Sequence, residues 1–168
     1  MNEFSANAIV RSVVISRLDY CNSLFYGASG RDITCLQRLL NSAARFVSGT
    51  SRRDHITPVL KHLHWLPIKQ RVEYKVAVII YKTMCMDVPS YMSELLFPYV
   101  SLRQLRTTEM GLLGVSRTYS SFGDRAFSVA GPKLFNTLPT SLRNKDSLPS
   151  FKKDLKTYLF RQAYAMNS

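Results

Sequence analysis

Along most of this chain the apolar positions recur with the period of a helix. From Ala6 to about Phe25, Ile9, Val10, Val13, Val14, Leu18 and Cys21 fall near i, i+3, i+4, i+7 spacing, with Arg11 and Arg17 on other faces, which predicts an amphipathic helix. Gly27 and Gly30 break it. A second helix is expected from about Asp32 to Ser48, with Ser29 or Asp32 as its cap and Gly49 closing it. Its apolar stripe is Ile33, Leu36, Leu39, Leu40, Ala43, Phe46 and Val47, which leaves Gln37, Arg38, Asn41 and Arg45 for the wet side.

Residues Gly49–Asp54 read as a polar loop. A short helix is expected after Thr57, with Pro58 at its first position and an end near Trp65. Leu66–Pro67 marks a turn, because the residue before a proline is steered away from helical dihedrals. Pro67 suits the first turn of a long helix to about Cys85, with Ile68, Val72, Val76, Ile79 and Ile80 inward. Ser90 is the expected cap of a short helix that runs to Leu96 and is stopped by Pro98. Beyond Pro98 the helical period fades, and Leu112–Val115 with Arg117–Phe122 are the candidate strands of a small hairpin. Helical texture returns in Ala126–Ala130, in Pro132–Leu138 and in Ser150–Tyr164, where Ser150 is the expected cap and Phe151, Leu155, Tyr158, Leu159 and Tyr164 the inward stripe.

The expected fold is therefore mainly α, a helical bundle-like domain with a small irregular or β-hairpin insertion around residues 105–123. In chain order it divides into a helical part over 1–98, an irregular linker over 99–124, and a C-terminal helical part over 125–168 packing on the first. At 168 residues, 46% of them hydrophobic, the chain can bury a real core. Its longest apolar run, Val76–Tyr81, is far too short to cross a bilayer. Met1–Val10 holds no Lys or Arg, so it lacks the basic start of a secretory signal. The expectation is an intracellular protein, in nucleus or cytoplasm. Cys21, Cys35 and Cys85 are odd in number and widely spaced, which predicts buried reduced thiols rather than disulfides.

Charge changes the picture most. The formal net charge is +12, and it rises along the chain, about +2 over 1–50, +4 over 51–110 and +6 over 111–168. Because the cations are interleaved with apolar positions, they belong on the outer faces of a folded body. Such an excess favours a polyanion, nucleic acid before an anionic membrane. The candidate phosphate-contacting residues are Arg52 and Arg53 in a loop, Lys69, Arg71 and Lys75 on the long helix, Arg103 and Arg106 in the irregular stretch, and Lys152, Lys153 and Lys156 on the last helix. Tyr74, Tyr81, Tyr99 and Tyr119 are candidates for stacking on bases. The plainer alternative for each is a solvated cation, or a tyrosine at the edge of the core.

Catalytic signals are missing. Phosphoryl chemistry with two metals needs clustered carboxylates, yet no two of the eleven acids are adjacent and there is no aromatic-X-Asp-Asp motif. His55, His62 and His64 crowd ten positions, but their spacing fits no zinc pairing, so structural histidines beside Trp65 are the expected reading. No nucleophile elbow, phosphate loop or dinucleotide fingerprint occurs. No metal and no cofactor is implied.

Four ordered blocks carry a family resemblance. They are Ser16-Arg-Leu-Asp-Tyr-Cys-Asn-Ser-Leu-Phe-Tyr-Gly27; Leu36-Gln-Arg through Asn41-Ser-Ala-Ala-Arg45 to Gly49-Thr50; Asp54-His-Ile-Thr-Pro-Val-Leu60 through Leu63-His-Trp-Leu-Pro67 and Arg71-Val-Glu-Tyr-Lys75; and Leu105-Arg106 through Gly123-Asp-Arg-Ala-Phe127, Gly131-Pro132, Asn136-Thr-Leu-Pro139 and Phe151-Lys152. Spanning residues 9 to 164, they resemble the C-terminal, post-palm region of reverse transcriptases encoded by LINE-like, jockey-like non-LTR retrotransposons. The resemblance implies an RNA-directed DNA polymerase as parent, whose catalytic aspartates lie upstream, and a thumb-like role for residues 1–98. Met1, just ahead of the first block, fits a truncated copy of such an element. The expected function is a non-catalytic fragment that binds RNA or an RNA–DNA hybrid with low specificity through basic helical faces, without a membrane partner. Two alternatives stand beside it: a helical module docking on the missing palm segment, and a truncated remnant with no function.

Overall fold

The computed structural model describes residues 3–85, 88–99 and 111–165, and within them it is mainly helical. The α-helices are α1 (Glu3–Val10), α2 (Ser16–Asp19), α3 (Gly30–Ser48), α4 (Thr57–His62), α5 (Ile68–Cys85), α6 (Ser90–Ser93), α7 (Phe127–Thr137), α8 (Thr140–Arg143) and α9 (Leu148–Ala165). They assemble into two compact units: Met1–Val72 with Leu159–Ser168, and Glu73–Tyr158. Tertiary contact rather than chain order draws this division, so α5 and α9 each lend residues to both units.

In the first unit, α1 and α2 are joined by a π-helical segment, Arg11–Ile15, in which the Ser16 N–H reaches back five residues to the Arg11 carbonyl. Ala6 and Val10 are buried, and Val14, Ile15 and Leu18 are partly buried. A stripe that advances four residues at each step outruns the 3.6-residue turn, and the wider π turn absorbs the surplus. Ile9 and Val13, expected inward, are left exposed. The helix also stops earlier than its apolar pattern, at Asp19: Tyr20 turns extended and Cys21 takes a left-handed conformation before a short 3₁₀ turn, Asn22–Phe25.

Helix α3 begins one turn after Gly27, under a reciprocal cap. The Asp32 N–H donates to Ser29 Oγ at 3.3 Å, and the Ser29 hydroxyl donates to Asp32 Oδ2 at 2.7 Å. Gly49, left-handed at φ 67°, closes it. The buried ridge is Leu40, Ala43, Ala44 and Val47, a clean i, i+3, i+4, i+7 row. Leu39 at 54% and Phe46 at 60% exposure lie about 100° away and face out. Against this ridge come Val10, Leu60, Trp65, Ile68, Val72 and Tyr164. α4 ends in a Schellman geometry: Trp65 N–H donates to Leu60 O at 2.9 Å, His64 N–H to Lys61 O at 3.1 Å, and His64 holds the left-handed position at φ 54°.

The second unit is built on the C-terminal part of α5, where Val76, Ala77, Val78, Ile80, Tyr81 and Thr83 are all buried. Tyr81 stacks on Phe151 with ring centroids 4.2 Å apart, and its hydroxyl donates to the Lys145 carbonyl at 2.6 Å. α7 runs unbroken through Gly131-Pro132, where the sequence predicted an interruption. Both residues are buried, and a Cβ on Gly131 would meet Ile80 Cδ1 at 3.0 Å, so glycine there permits a close approach to α5. Pro132 lies only in the second turn of α7, and its missing N–H leaves free one carbonyl of the first turn.

Several local expectations need correction. Among the described residues the segments Leu112–Val115 and Arg117–Phe122 form no hairpin. Leu113 instead makes an isolated antiparallel bridge with Pro98, through Tyr99 N–H to Leu112 O at 2.9 Å and Gly114 N–H to Phe97 O at 2.8 Å. Asn136 anchors the same backbone, accepting from Leu113 N–H at 2.9 Å and donating to Leu113 O at 2.8 Å. Residues 105–110 of the expected insertion lie outside the described residues. Ser90 and Ser150 are not caps. α6 starts after Pro89, and α9 starts at Leu148 with the Ser147 carbonyl accepting from Phe151 N–H at 2.9 Å, because Pro149 fits the first helical turn. The three cysteines are free but exposed rather than buried, since each sits off the buried ridge or past the end of its helix.

Candidate nucleic-acid interface

The ten basic residues singled out from sequence do not share one environment. In the first unit, Arg52 and Arg53 are exposed in the loop after α3. That loop is fastened by Arg45, which donates to the Ser51 carbonyl and, at 2.7 Å, to the Asp54 carbonyl. Lys69 is exposed on the first turn of α5. Arg71 is not a surface cation: its side chain is 13% accessible, its Nε donates to Leu66 O at 2.8 Å, and its Nη1 contacts Asp19 Oδ1 at 3.0 Å and Oδ2 at 2.9 Å. The pattern placed it on the wet face, but an acid fifty-two positions upstream draws it in.

Further exposed arginines lie on the first unit, among them a regular row on α3. Arg31 and Arg38 are exposed on α3, and with Arg45 they repeat every seven residues. Such a row drifts only about 20° per repeat and spaces its cations about 10 Å apart along the axis. The signal was present in the sequence as a heptad of arginines beside the apolar stripe.

In the second unit, Lys75 and Lys82 are exposed seven residues apart on α5, and Lys153 and Lys156 are exposed on α9 with Lys152 half-buried next to them. Lys145 is withdrawn by a 2.6 Å ion pair with Asp154. That contact holds the Asp154 carboxyl below its ordinary range. Asp124 is depressed likewise, by hydrogen bonds from Lys133 at 2.7 Å and from the Thr118 hydroxyl at 2.6 Å. Arg103 and Arg106 lie outside the described residues.

Of the candidate stacking tyrosines, Tyr81 is buried, and burial pushes its hydroxyl above the usual range. Tyr74 is half-buried, Tyr99 is exposed and Tyr119 is fully exposed. Phe122, one turn beyond Tyr119, is exposed as well.

Four of the acids and one histidine serve the fold. Asp19, Asp32, Asp124 and Asp154 each hold a cap or a cation. His64 lies stacked on Phe160 with centroids 5.8 Å apart. Among the described residues no group of three His, Cys, Asp or Glu side chains converges as metal ligands do, and no helix is long and apolar enough to cross a membrane. No protein-family model, curated protein or solved structure matches this chain.

Proposed function

We propose that this chain binds nucleic acid through basic helical faces and acts without polymerase chemistry of its own, as the post-palm segment of a non-LTR reverse transcriptase, inside the cell. The observation that carries the reading is the net charge of +12 combined with where the exposed cations sit. Arg31, Arg38, Arg52 and Arg53 of one unit, and Lys75, Lys82 and Lys156 of the other, are exposed to solvent, and Lys153, also exposed, adds to the positive field that lowers Asp154. Each such cation that meets a phosphate displaces a counterion, which makes binding favourable and steeply dependent on salt. Three of the acids, Asp19, Asp124 and Asp154, are held by Arg71, Lys133 and Lys145.

The test is a salt titration of the full chain on an RNA–DNA hybrid. Retention at low salt is expected, with log affinity falling linearly against log salt. Replacing Lys152, Lys153 and Lys156 by glutamine flattens the slope by about one unit for each phosphate contact removed. A chain that retains no nucleic acid at low salt ends the reading.

A second reading has its own support. Phe4, Ile9 and Val13 on the first helical rod, and Leu39 and Phe46 on α3, are exposed apolar side chains, more than scattered surface residues require. They fit a module that docks on an upstream palm segment. Solubility rescued by co-expression with such a segment favours this reading, and a monodisperse monomer that binds no hydrophobic dye counts against it.

A further inference from the structure

The loop that leads into α7 carries two aromatic rings that nothing in the described fold covers. Tyr119 is 101% exposed and Phe122 82%. The backbone around them is nevertheless tied down. The Asp124 N–H donates to Ser120 O at 3.1 Å, the Gly123 N–H to Ser120 Oγ at 3.0 Å, and the Arg125 N–H to Phe122 O at 3.1 Å. The Asp124 carboxylate receives Thr118 at 2.6 Å and Lys133 at 2.7 Å on the same oxygen. A well-bonded turn is thus spent on holding two rings in water, where each forfeits the free energy of burial.

The flanking charge indicates what covers them. Arg117 and Arg125 are exposed and have no side-chain partner among the described residues, while the acid between them, Asp124, is already compensated by Lys133. The loop therefore reads Arg-x-Tyr-x-x-Phe-x-x-Arg, with two aromatic faces between two free cations. An apolar protein groove has no use for cations at both ends of the aromatic pair. Bases with their faces free, strung on a phosphate chain, use both features at once: rings stack on the aromatics and phosphates meet the guanidinium groups. A duplex hides its base faces, so the rings select for unpaired strands.

We propose that residues 117–125 form a stacking platform for single-stranded nucleic acid, with Tyr119 and Phe122 taking bases and Arg117 and Arg125 taking the adjoining phosphates. This rests on the nucleic-acid-binding reading above and adds to it a preference for unpaired strand.

The experiment uses the full chain, with fluorescence anisotropy on a labelled oligouridylate and on an RNA–DNA hybrid of equal length. The double variant Tyr119→Ala with Phe122→Ala loses roughly 30-fold or more on the oligouridylate and keeps the wild-type affinity and salt slope on the hybrid. The exchange Tyr119→Phe with Phe122→Tyr keeps both, and circular dichroism checks that the folds match. An alanine variant that binds the oligouridylate like the wild type, or that loses equally on both probes, overturns the platform while leaving the basic-surface reading intact. A wild-type chain that retains neither probe at low salt removes that reading, and the platform with it. Loss of binding to phosphatidylserine vesicles in the alanine variant, with oligouridylate binding preserved, assigns the loop to a lipid surface and overturns the proposal.

Discussion

A single nitrogen of Arg71, Nη1, lies 3.0 Å from Asp19 Oδ1 and 2.9 Å from Oδ2, while Nε of the same guanidinium donates to the Leu66 carbonyl at 2.8 Å. One side chain thus ties the end of α2 to the turn that launches α5. Asn22 Nδ2 adds a 3.4 Å contact to Asp19 Oδ1 from the 3₁₀ turn. Asp19 and Arg71 belong to the first and third blocks of the sequence resemblance, so an arginine of the third helps to hold the first in place.

Arg71→Ala is expected to destabilise the chain by about 1–3 kcal/mol, because a charge-assisted contact and the bond to Leu66 are lost together in a half-buried setting. Arg71→Lys recovers only part, since an ammonium cannot serve both acceptors from the same position. Urea melts of the two variants measure this. A loss below experimental error in both would mean that the pair contributes nothing to the fold.

Gly49→Ala isolates a conformational cost. The residue sits at φ 67° and a Cβ there would meet nothing within 4 Å, so no steric clash confuses the result. The expected loss is about 1 kcal/mol, from the left-handed backbone alone, and thermal unfolding against the wild type reads it.

At Gly131 the cost is steric instead. An added methyl lies 3.0 Å from Ile80 Cδ1 and 3.3 Å from Cγ1, and Ile80 is fully buried. Overpacking of this kind typically costs about 1–3 kcal/mol. Gly131→Ala combined with Ile80→Val makes room for that methyl, and the pair is expected to be more stable than the sum of the two single losses predicts.

Alkaline pH should weaken the first unit through Tyr164. Its hydroxyl donates to the Trp65 carbonyl at 2.5 Å, and burial pushes its pKa up to about 12, against a smaller opposing pull from Arg71. The folded value is raised, so the neutral phenol's contribution is intact below the ordinary tyrosine value near 10 and is lost as pH climbs from about 10 to about 12. Tyr164→Phe removes this share of the pH dependence and lowers stability at neutral pH by about 1–3 kcal/mol, by leaving the Trp65 carbonyl unpaired. Denaturant melts of both proteins across this range test the sign.

What the sequence determined by itself was whatever depends on neighbours within a turn or two. The helical period, the Ser29 start and Gly49 end of α3, the break at Leu66–Pro67 before α5 and four of the five inward residues of α9, Tyr158 being half-buried, were legible, because caps, prolines and i+4 spacing act locally. The basic character of the surface was legible too, since charge needs only counting. Tertiary structure decided the rest. Leu39 and Leu40 are the same residue type one position apart, and only the element packed against α3 settles which is buried. Arg71 and Lys69 look alike in the pattern until Asp19, distant in sequence, claims the arginine. Tyr119 stands out in the sequence as a candidate for stacking, whereas the exposure of Phe122, Arg117 and Arg125 does not, because exposure in a loop is set by the absence of neighbours rather than by any period. The bond from Tyr164 to Trp65 spans ninety-nine positions, and burial of a polar group by so distant a partner follows from how the chain closes on itself, which no local pattern encodes.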